Sequence, residues 1–399
     1  MHLNYANFNQ DNSCICVGYD TGFRIYECEN FTKCYEEMEG GISIVEMLCN
    51  SSLVAVVGSG ETLTALSRRR LRMINTKQHT TICELTFPAA ILAVKMNLER
   101  LVVLIEGMLY IYDITKMRLL HTIEVSNANC KGLVALSMAS NVVYACEGDV
   151  VVFDCKKLEA VAVISAHRRE VTALAINNDG TMIATASDRG TLIRVFDAES
   201  GVKLKQLRRG TYPTKISALS FSDGWLIANS GTGTIHVFKM DGDESDDSII
   251  DNESEHNVAE DDVASMSSDE DFQTSSSNSN SNSNNTTSNT NANSNTNPSL
   301  TPAPTNSMGR ILRRTSQTLG RRAAQSMGPL LPPRVLGVLE PSRHFASCKL
   351  PLGSSTPTGL VGLSYDRIVG VSESGEVLVY GLDKVKGGDC QLLETTSIL

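Results

Sequence analysis

Long apolar runs are missing from this 399-residue sequence. No stretch approaches the roughly 18 uninterrupted apolar residues of a spanning helix, so any membrane role is expected to be peripheral. The first residues, MHLNYANFNQDNS, lack the basic-then-apolar order of a signal peptide. Metal and redox cysteine spacings are missing too. The eleven cysteines contain no CxxC pair, and Cys28, Cys49, Cys83 and Cys146 sit in apolar strand-like runs, as reduced cytosolic cysteines do. Cys14 and Cys16, one residue apart in such a run, are expected to be core thiols, so neither metal nor cofactor is anticipated. There is no Gly-rich phosphate loop, no serine-nucleophile elbow, and no closely spaced carboxylate or His/Cys set. No cysteine has the arginine setting of a phosphatase nucleophile. A non-enzymatic protein is therefore expected.

Basic residues are absent from one long segment. Residues 241–308 hold fourteen Asp or Glu and no Lys or Arg, and removing those carboxylates takes the net charge from −10 to +4. The excess falls within 310–399, where eleven basic residues face seven acidic ones. The folded part is thus neutral to mildly basic, without the long basic track of a nucleic-acid binder.

A repeat is present. RIYE at Tyr26, RMIN at Ile74, YIYD at Tyr112, VVFD at Phe153, RVFD at Phe196 and HVFK at Phe238 lie 48, 38, 41, 43 and 42 residues apart; LVYG at Tyr380 follows after 142. A period near 40 with several short strands per unit is that of a propeller blade, whose small sheet buries its faces only against its neighbours. The last interval is one period plus an insertion of about 100 residues. Within a unit, VTALAI, the turn NNDGT, MIATAS, the turn DRG and TLIRVFD give alternating strands joined by Asp/Asn-Gly turns. The spacing predicts an all-β, seven-bladed β-propeller of WD40-like repeats. Residues 1–240 supply blades one to five and most of six, and 329–399 the rest of six and blade seven. A β-sandwich does not explain a sevenfold repeat.

The insertion has three compositions. Residues 241–272 are acidic and 273–300 almost entirely Ser, Asn and Thr, so 241–306 cannot bury enough apolar area to offset chain entropy and is expected to be disordered. In 307–328, SMGRILRRTSQTLGRRAAQSMG, the residues Leu312, Leu319, Ala323 and Met327 fall at helical spacing, with Ile311 beside them and Arg310, Arg313, Arg314, Arg321 and Arg322 around them. Such a basic amphipathic helix on a long tether reads as a membrane-contact element. A helix packed on the propeller or a solvated charge run would have the same pattern.

Between the fifth and sixth repeats lies KLKQLRRGTYPTKISALSF. Consecutive side chains on extended backbone point to opposite faces, so Arg208 and Arg209 are expected to serve two pockets. A guanidinium fork suits phosphate oxygens, and Gly210 permits a sharp turn beside it. Alone, the tripeptide equally describes solvated arginines. The fifth repeat adds His167, Ser187, Thr191 and Arg194; the sixth adds Lys215, Ser230, Thr232, Thr234 and His236. These are donors for a ligand with many acceptors, such as an inositol phosphate. His167 could instead bond within the fold, and Thr191 and Arg194 could be ordinary strand positions.

The stretches HRREVTALAINNDGTMIATASDRGTLIRVFD, LRRG, TGTIHVFK and MGRILRRTSQTLGRRAAQSMG, with residues 340–347 after them, resemble the PROPPIN family, specifically its fungal autophagy-related protein 18 branch. The likeness runs from ANFNQDNSCICVG to GGDC and fails only in the low-complexity insertion. It implies a propeller that binds phosphatidylinositol 3-phosphate and phosphatidylinositol 3,5-bisphosphate at two rim sites. Arg208, His167, Ser187 and Thr191 match the first; Arg209, Ser230, Thr234 and His236 match the second. Leu207 stands where Phe is frequent, but Leu also occurs. The resemblance further implies a membrane-inserting loop in the sixth blade and a role in autophagy and in endosome or vacuole maintenance. The location implied is cytoplasmic, peripheral on the pre-autophagosomal structure, vacuole and endosome. A lipid-transfer partner, autophagy-related protein 2, is implied at Arg68, Arg69 and Arg70, although Arg68 replaces the usual Pro. An exposed basic loop is the bland alternative there, and a protein-interaction propeller binding acidic peptides is the rival for the whole.

Overall fold

The computed structural model describes residues 2–60, 66–125, 132–240, 342–350, 360–372 and 374–399. Their strands form seven antiparallel four-stranded sheets in chain order, two of them with a short fifth strand at the edge. This is the seven-bladed propeller that the repeat predicts. The recurring RIYE-type motif marks the third strand of each blade, as in Phe23–Glu27, Leu192–Asp197 and Glu376–Gly381.

Burial follows strand position. Second strands have both faces covered, so Trp225–Ser230 is buried throughout. Fourth strands line the outside and are largely exposed, as along Thr80–Thr86, except in blade six, where a short fifth strand covers Ala346–Lys349. Paired sheets with two covered faces carry continuous apolar runs, and edge strands do not. Seven hydrophobic clusters result, one in each seam between adjacent blades. The seam between blades five and six joins Ala184, Ala186 and Val195 to Ile216, Leu226 and Phe238.

Polar contacts lock the inner strands. Glu46, 2% exposed, accepts hydrogen bonds from the Tyr5 hydroxyl at 2.6 Å and Asn7 Nδ2 at 2.6 Å, and pairs with Lys95 Nζ at 2.5 Å. Three blades thereby share one carboxylate. The ring closes without strand exchange among the described residues: blade one takes all four strands from 3–37, and blade seven takes its own from 360–397. The cluster joining Ile15, Val17 and Tyr26 to Val369, Val377 and Ile398 covers that seam. The hydroxyls of Tyr19 and Tyr26 both donate to the Ile398 carbonyl, Tyr26 at 3.2 Å.

The sixth blade is interrupted. Its third strand, Thr234–Lys239, pairs antiparallel with Ala346–Lys349, so the intervening chain is an insertion between its third and fourth strands. The expected disordered tract 241–306 and the expected helix 307–328, with Arg310, Ile311, Leu312, Arg313, Arg314 and Leu319, lie outside the described residues.

Candidate phosphate-binding rim of blades five and six

Strand Lys203–Arg208 is the outer strand of blade five. At its end Arg208 stands opposite Leu192 on one side, and on the other pairs in parallel with Arg343 of the short strand Ser342–Arg343. Arg208 is exposed, and its guanidinium makes no hydrogen bond or ion pair among the described residues. The next residue turns inward. Arg209 is 8% exposed; its Nε donates to the Gly190 carbonyl at 2.9 Å, and its Nη2 to the carbonyls of Tyr212 at 2.6 Å and Thr214 at 3.4 Å. Burial lowers its pKa from the ordinary guanidinium value. Arg209 therefore ties two loops together and keeps Nη1 outside those bonds. Glycine is required at 190: φ is +56°, and a Cβ there would meet the Thr214 carbonyl oxygen at 2.0 Å.

The fifth blade sets its donors in loop 166–170, in the turn 187–191 and on strand Leu192–Asp197. His167 Nε2 lies 2.9 Å from Thr185 Oγ1, and Arg194 Nη1 donates to the Ala166 carbonyl at 2.6 Å. Both side chains thus bond within the fold, fastening loop 166–170 to the sheet. Ser187 is buried at the start of the DRG turn, where its carbonyl accepts from Gly190 N at 2.9 Å. Thr191 is half-buried, and its carbonyl accepts from Arg209 N at 3.0 Å. In the DRG turn, Asp188 is held by Arg169 at 3.0 Å.

Behind Arg209, the sixth blade forms a second group. Ser230, fully buried, shares a hydrogen bond with Thr232 Oγ1 at 2.8 Å. Thr234 is half-buried, and Thr232 and Lys215 are exposed. Thr234 and His236 fall on the same face of their strand. His236 is 7% exposed, its Nδ1 has no hydrogen-bond partner, and its ring meets His344 edge-on at 5.0 Å between centroids. Burial first, then the charges of His344 and Arg209, push its pKa down to about 4. His344 is also lowered, by burial and by Arg343, against an opposing pull from Asp389. His236 is therefore neutral at neutral pH, and an arriving phosphate would supply the anion that this group lacks.

Sequence reasoning placed Arg343 and His344 within 340–347, part of the family resemblance, but gave them no place in the site. More than a hundred residues separate them from Arg208 and His236, and no local pattern singles them out. The usable signal was the count of four strands per blade, which obliges the chain after the insertion to return beside the third strand of blade six. In the second blade, Arg68 is exposed with no side-chain bond among the described residues, whereas Arg69 Nε donates to the Phe87 carbonyl at 3.0 Å and Arg70 pairs with Glu84 at 3.3 Å. The three arginines are not equivalent.

The fold and rim define a seven-bladed propeller with a cationic, hydroxyl-rich edge across blades five and six. The PROPPIN family model matches residues 2–254. Autophagy-related protein 18 of Komagataella pastoris is 37% identical over 100% of this chain and 95% of its own length, and that of Saccharomyces cerevisiae is 35% identical over 100% and 98%. Among solved structures, a complex of KlAtg21 with the coiled coil of AgAtg16 matches with a TM-score of 0.67 at 25% identity, covering 100% of this chain and 99% of the other. Kluyveromyces lactis Hsv2 matches in fold, with a TM-score of 0.67 at 18% identity and the same coverages. The chain belongs to the PROPPIN family of phosphoinositide-binding propellers.

Proposed function

We propose that this rim binds two 3-phosphorylated phosphoinositide headgroups, from phosphatidylinositol 3-phosphate or phosphatidylinositol 3,5-bisphosphate. The protein then works as a non-enzymatic peripheral membrane effector of autophagosome formation and of endosome and vacuole maintenance. Arg208 serves the first headgroup with His167, Ser187, Thr191 and Arg194. Arg209, through Nη1, serves the second with Lys215, Ser230, Thr232, Thr234 and His236. The observation that carries this reading is the donor set left unsatisfied among the described residues: Arg208 is exposed without a side-chain partner there, Arg343 stands beside it in the sheet, and His236 Nδ1 is unbonded against His344. Anions are what such a surface recruits.

Two weak sites on one face reinforce each other by effective concentration. The basic segment 307–328 adds a third, less specific attraction, since anionic leaflets draw in juxtamembrane basic residues at about 1 kcal/mol each. Once on the membrane, the second blade recruits a lipid-transfer partner, autophagy-related protein 2, through Arg68 with Arg69 and Arg70 flanking it. Arg68 is the best placed of the three, because the other two guanidinia are already engaged. The protein is cytoplasmic when released.

Vesicle sedimentation tests the reading. Arg208→Ala and Arg209→Ala should each weaken binding to vesicles carrying phosphatidylinositol 3-phosphate, and the double variant should nearly abolish it. Undiminished binding by the double variant would reject the two-site mechanism.

A further inference from the structure

Tyr212 is 82% exposed, more than any other aromatic ring among the described residues. Its backbone is nevertheless held firmly. Arg209 Nη2 grips the Tyr212 and Thr214 carbonyls, Thr214 N donates to Arg189 O at 2.8 Å, and Gly231 N donates to Lys215 O at 2.9 Å. A loop fixed from beneath by four hydrogen bonds holds an aromatic ring out in solvent, between Gly210, beside which a Cβ would meet nothing within 4 Å, and the exposed Pro213. Exposed cations flank it at Arg208 and Lys215. Single exposed apolar residues are commonplace; a rigidly presented tyrosine between cations is a narrower feature. Tyrosine has an apolar ring and a polar tip, so it settles at the boundary between headgroups and acyl chains, and neighbouring cations draw that boundary in.

We infer that loop 210–215 is a membrane anchor in its own right, with the Tyr212 ring entering the interfacial zone of an anionic bilayer and Arg209 acting as the positioning residue that holds it there. The inference rests on the lipid-binding reading above and adds a contact that no headgroup makes. The ring belongs to neither donor group. Losing it removes apolar contact with the bilayer and leaves phosphate recognition intact. Losing Arg209 removes both, because the same guanidinium serves the second headgroup and grips the loop.

The experiment separates headgroup from bilayer. Binding is measured to soluble inositol 1,3-bisphosphate and to phosphatidylcholine/phosphatidylserine vesicles carrying phosphatidylinositol 3-phosphate, for the full chain, Tyr212→Ala, Tyr212→Trp and Arg208→Ala. Tyr212→Ala should keep the parent affinity for the soluble headgroup and lose about fivefold on vesicles, the scale of one partly buried ring. Tyr212→Trp should retain vesicle binding, with its fluorescence quenched by brominated acyl chains above the background of the buried Trp225. An unchanged vesicle affinity for Tyr212→Ala, or an equal loss on both ligands, overturns the anchor, the first pointing to a protein-binding role for the ring and the second to a pocket role. Failure of the parent to bind the vesicles, or of Arg208→Ala to weaken that binding, overturns the lipid reading and the anchor with it.

Discussion

Arg208 and Arg209 are neighbours in the chain and opposites in their surroundings: the first guanidinium is exposed and unbonded among the described residues, and the second is 8% exposed and grips three backbone carbonyls. Loss of lipid binding on replacing either residue would therefore have different physical origins. Stability measurements distinguish them.

Arg208→Ala should leave the urea-unfolding free energy within about 0.5 kcal/mol of the parent, as for surface substitutions generally. Arg209→Ala should cost about 1–3 kcal/mol, the range for breaking buried hydrogen bonds and leaving acceptors unpaired. Equal stabilities for the two variants would show that the Arg209 bonds contribute nothing net.

Gly190→Ala should disrupt the same junction from the other side. Its Cβ would collide with the Thr214 carbonyl oxygen at 2.0 Å, and the residue sits at positive φ. A loss of about 2 kcal/mol or more is expected, because alanine meets both a steric and a conformational penalty there. Vesicle binding should fall with it as loops 188–191 and 210–215 separate. Wild-type stability in this variant would mean the loops have room to part freely.

The buried His236 makes stability depend on pH. Its folded pKa of about 4 lies below the unfolded value of 6.5, so the unfolded chain binds more protons between those limits. Stability is complete above 6.5 and falls as pH drops toward 4, by roughly 3 kcal/mol from this group. The lowered pKa of His344 acts in the same direction. Chemical denaturation at pH 7 and pH 5 should therefore show a gap that narrows in His236→Gln. A gap of the same size in that variant would place the pH sensitivity elsewhere.

The acidic tract gives a fourth expectation. Residues 241–272 carry all fourteen carboxylates of segment 241–308, and anionic headgroups repel them, within a Debye length of about 10 Å. Deleting 243–300 while keeping the basic segment should leave vesicle affinity unchanged or raise it. A large loss would assign the tract a positive role.

The fold was legible because each third strand ends in the same short pattern, and its period is too regular for a sandwich. The donor residues were legible as types but not as arrangements. Strand alternation sets Arg208 and Arg209 on opposite faces, but which of them is buried was not legible; the path of the chain after residue 208, with loop carbonyls converging beneath it, turns Arg209 inward. His167 and Arg194 read as headgroup donors, and the structure shows each already bonded, to Thr185 and to the Ala166 carbonyl. Arg343 and His344 lay in a stretch that carries the family resemblance, but their place beside Arg208 and His236 was not legible, because the contacts that set it cross the whole insertion and periodicity carries no information about such distant pairs.

The seam between the first and last blades has a mechanical meaning. Propellers that share a strand between the two ends of the chain are latched, and opening them requires unpairing that strand. Among the described residues the ends meet through a packed face, two tyrosine hydroxyls on the Ile398 carbonyl and an Arg367 Nη1 bond to the Glu29 carbonyl at 3.5 Å, with no shared strand, so the ring behaves as an intramolecular complex of blade one with blade seven. A chain of this kind has no privileged starting point. Joining its ends and cutting at another seam should give a permuted ring of similar stability, and a pull applied to the two ends should part this clasp before any sheet unravels.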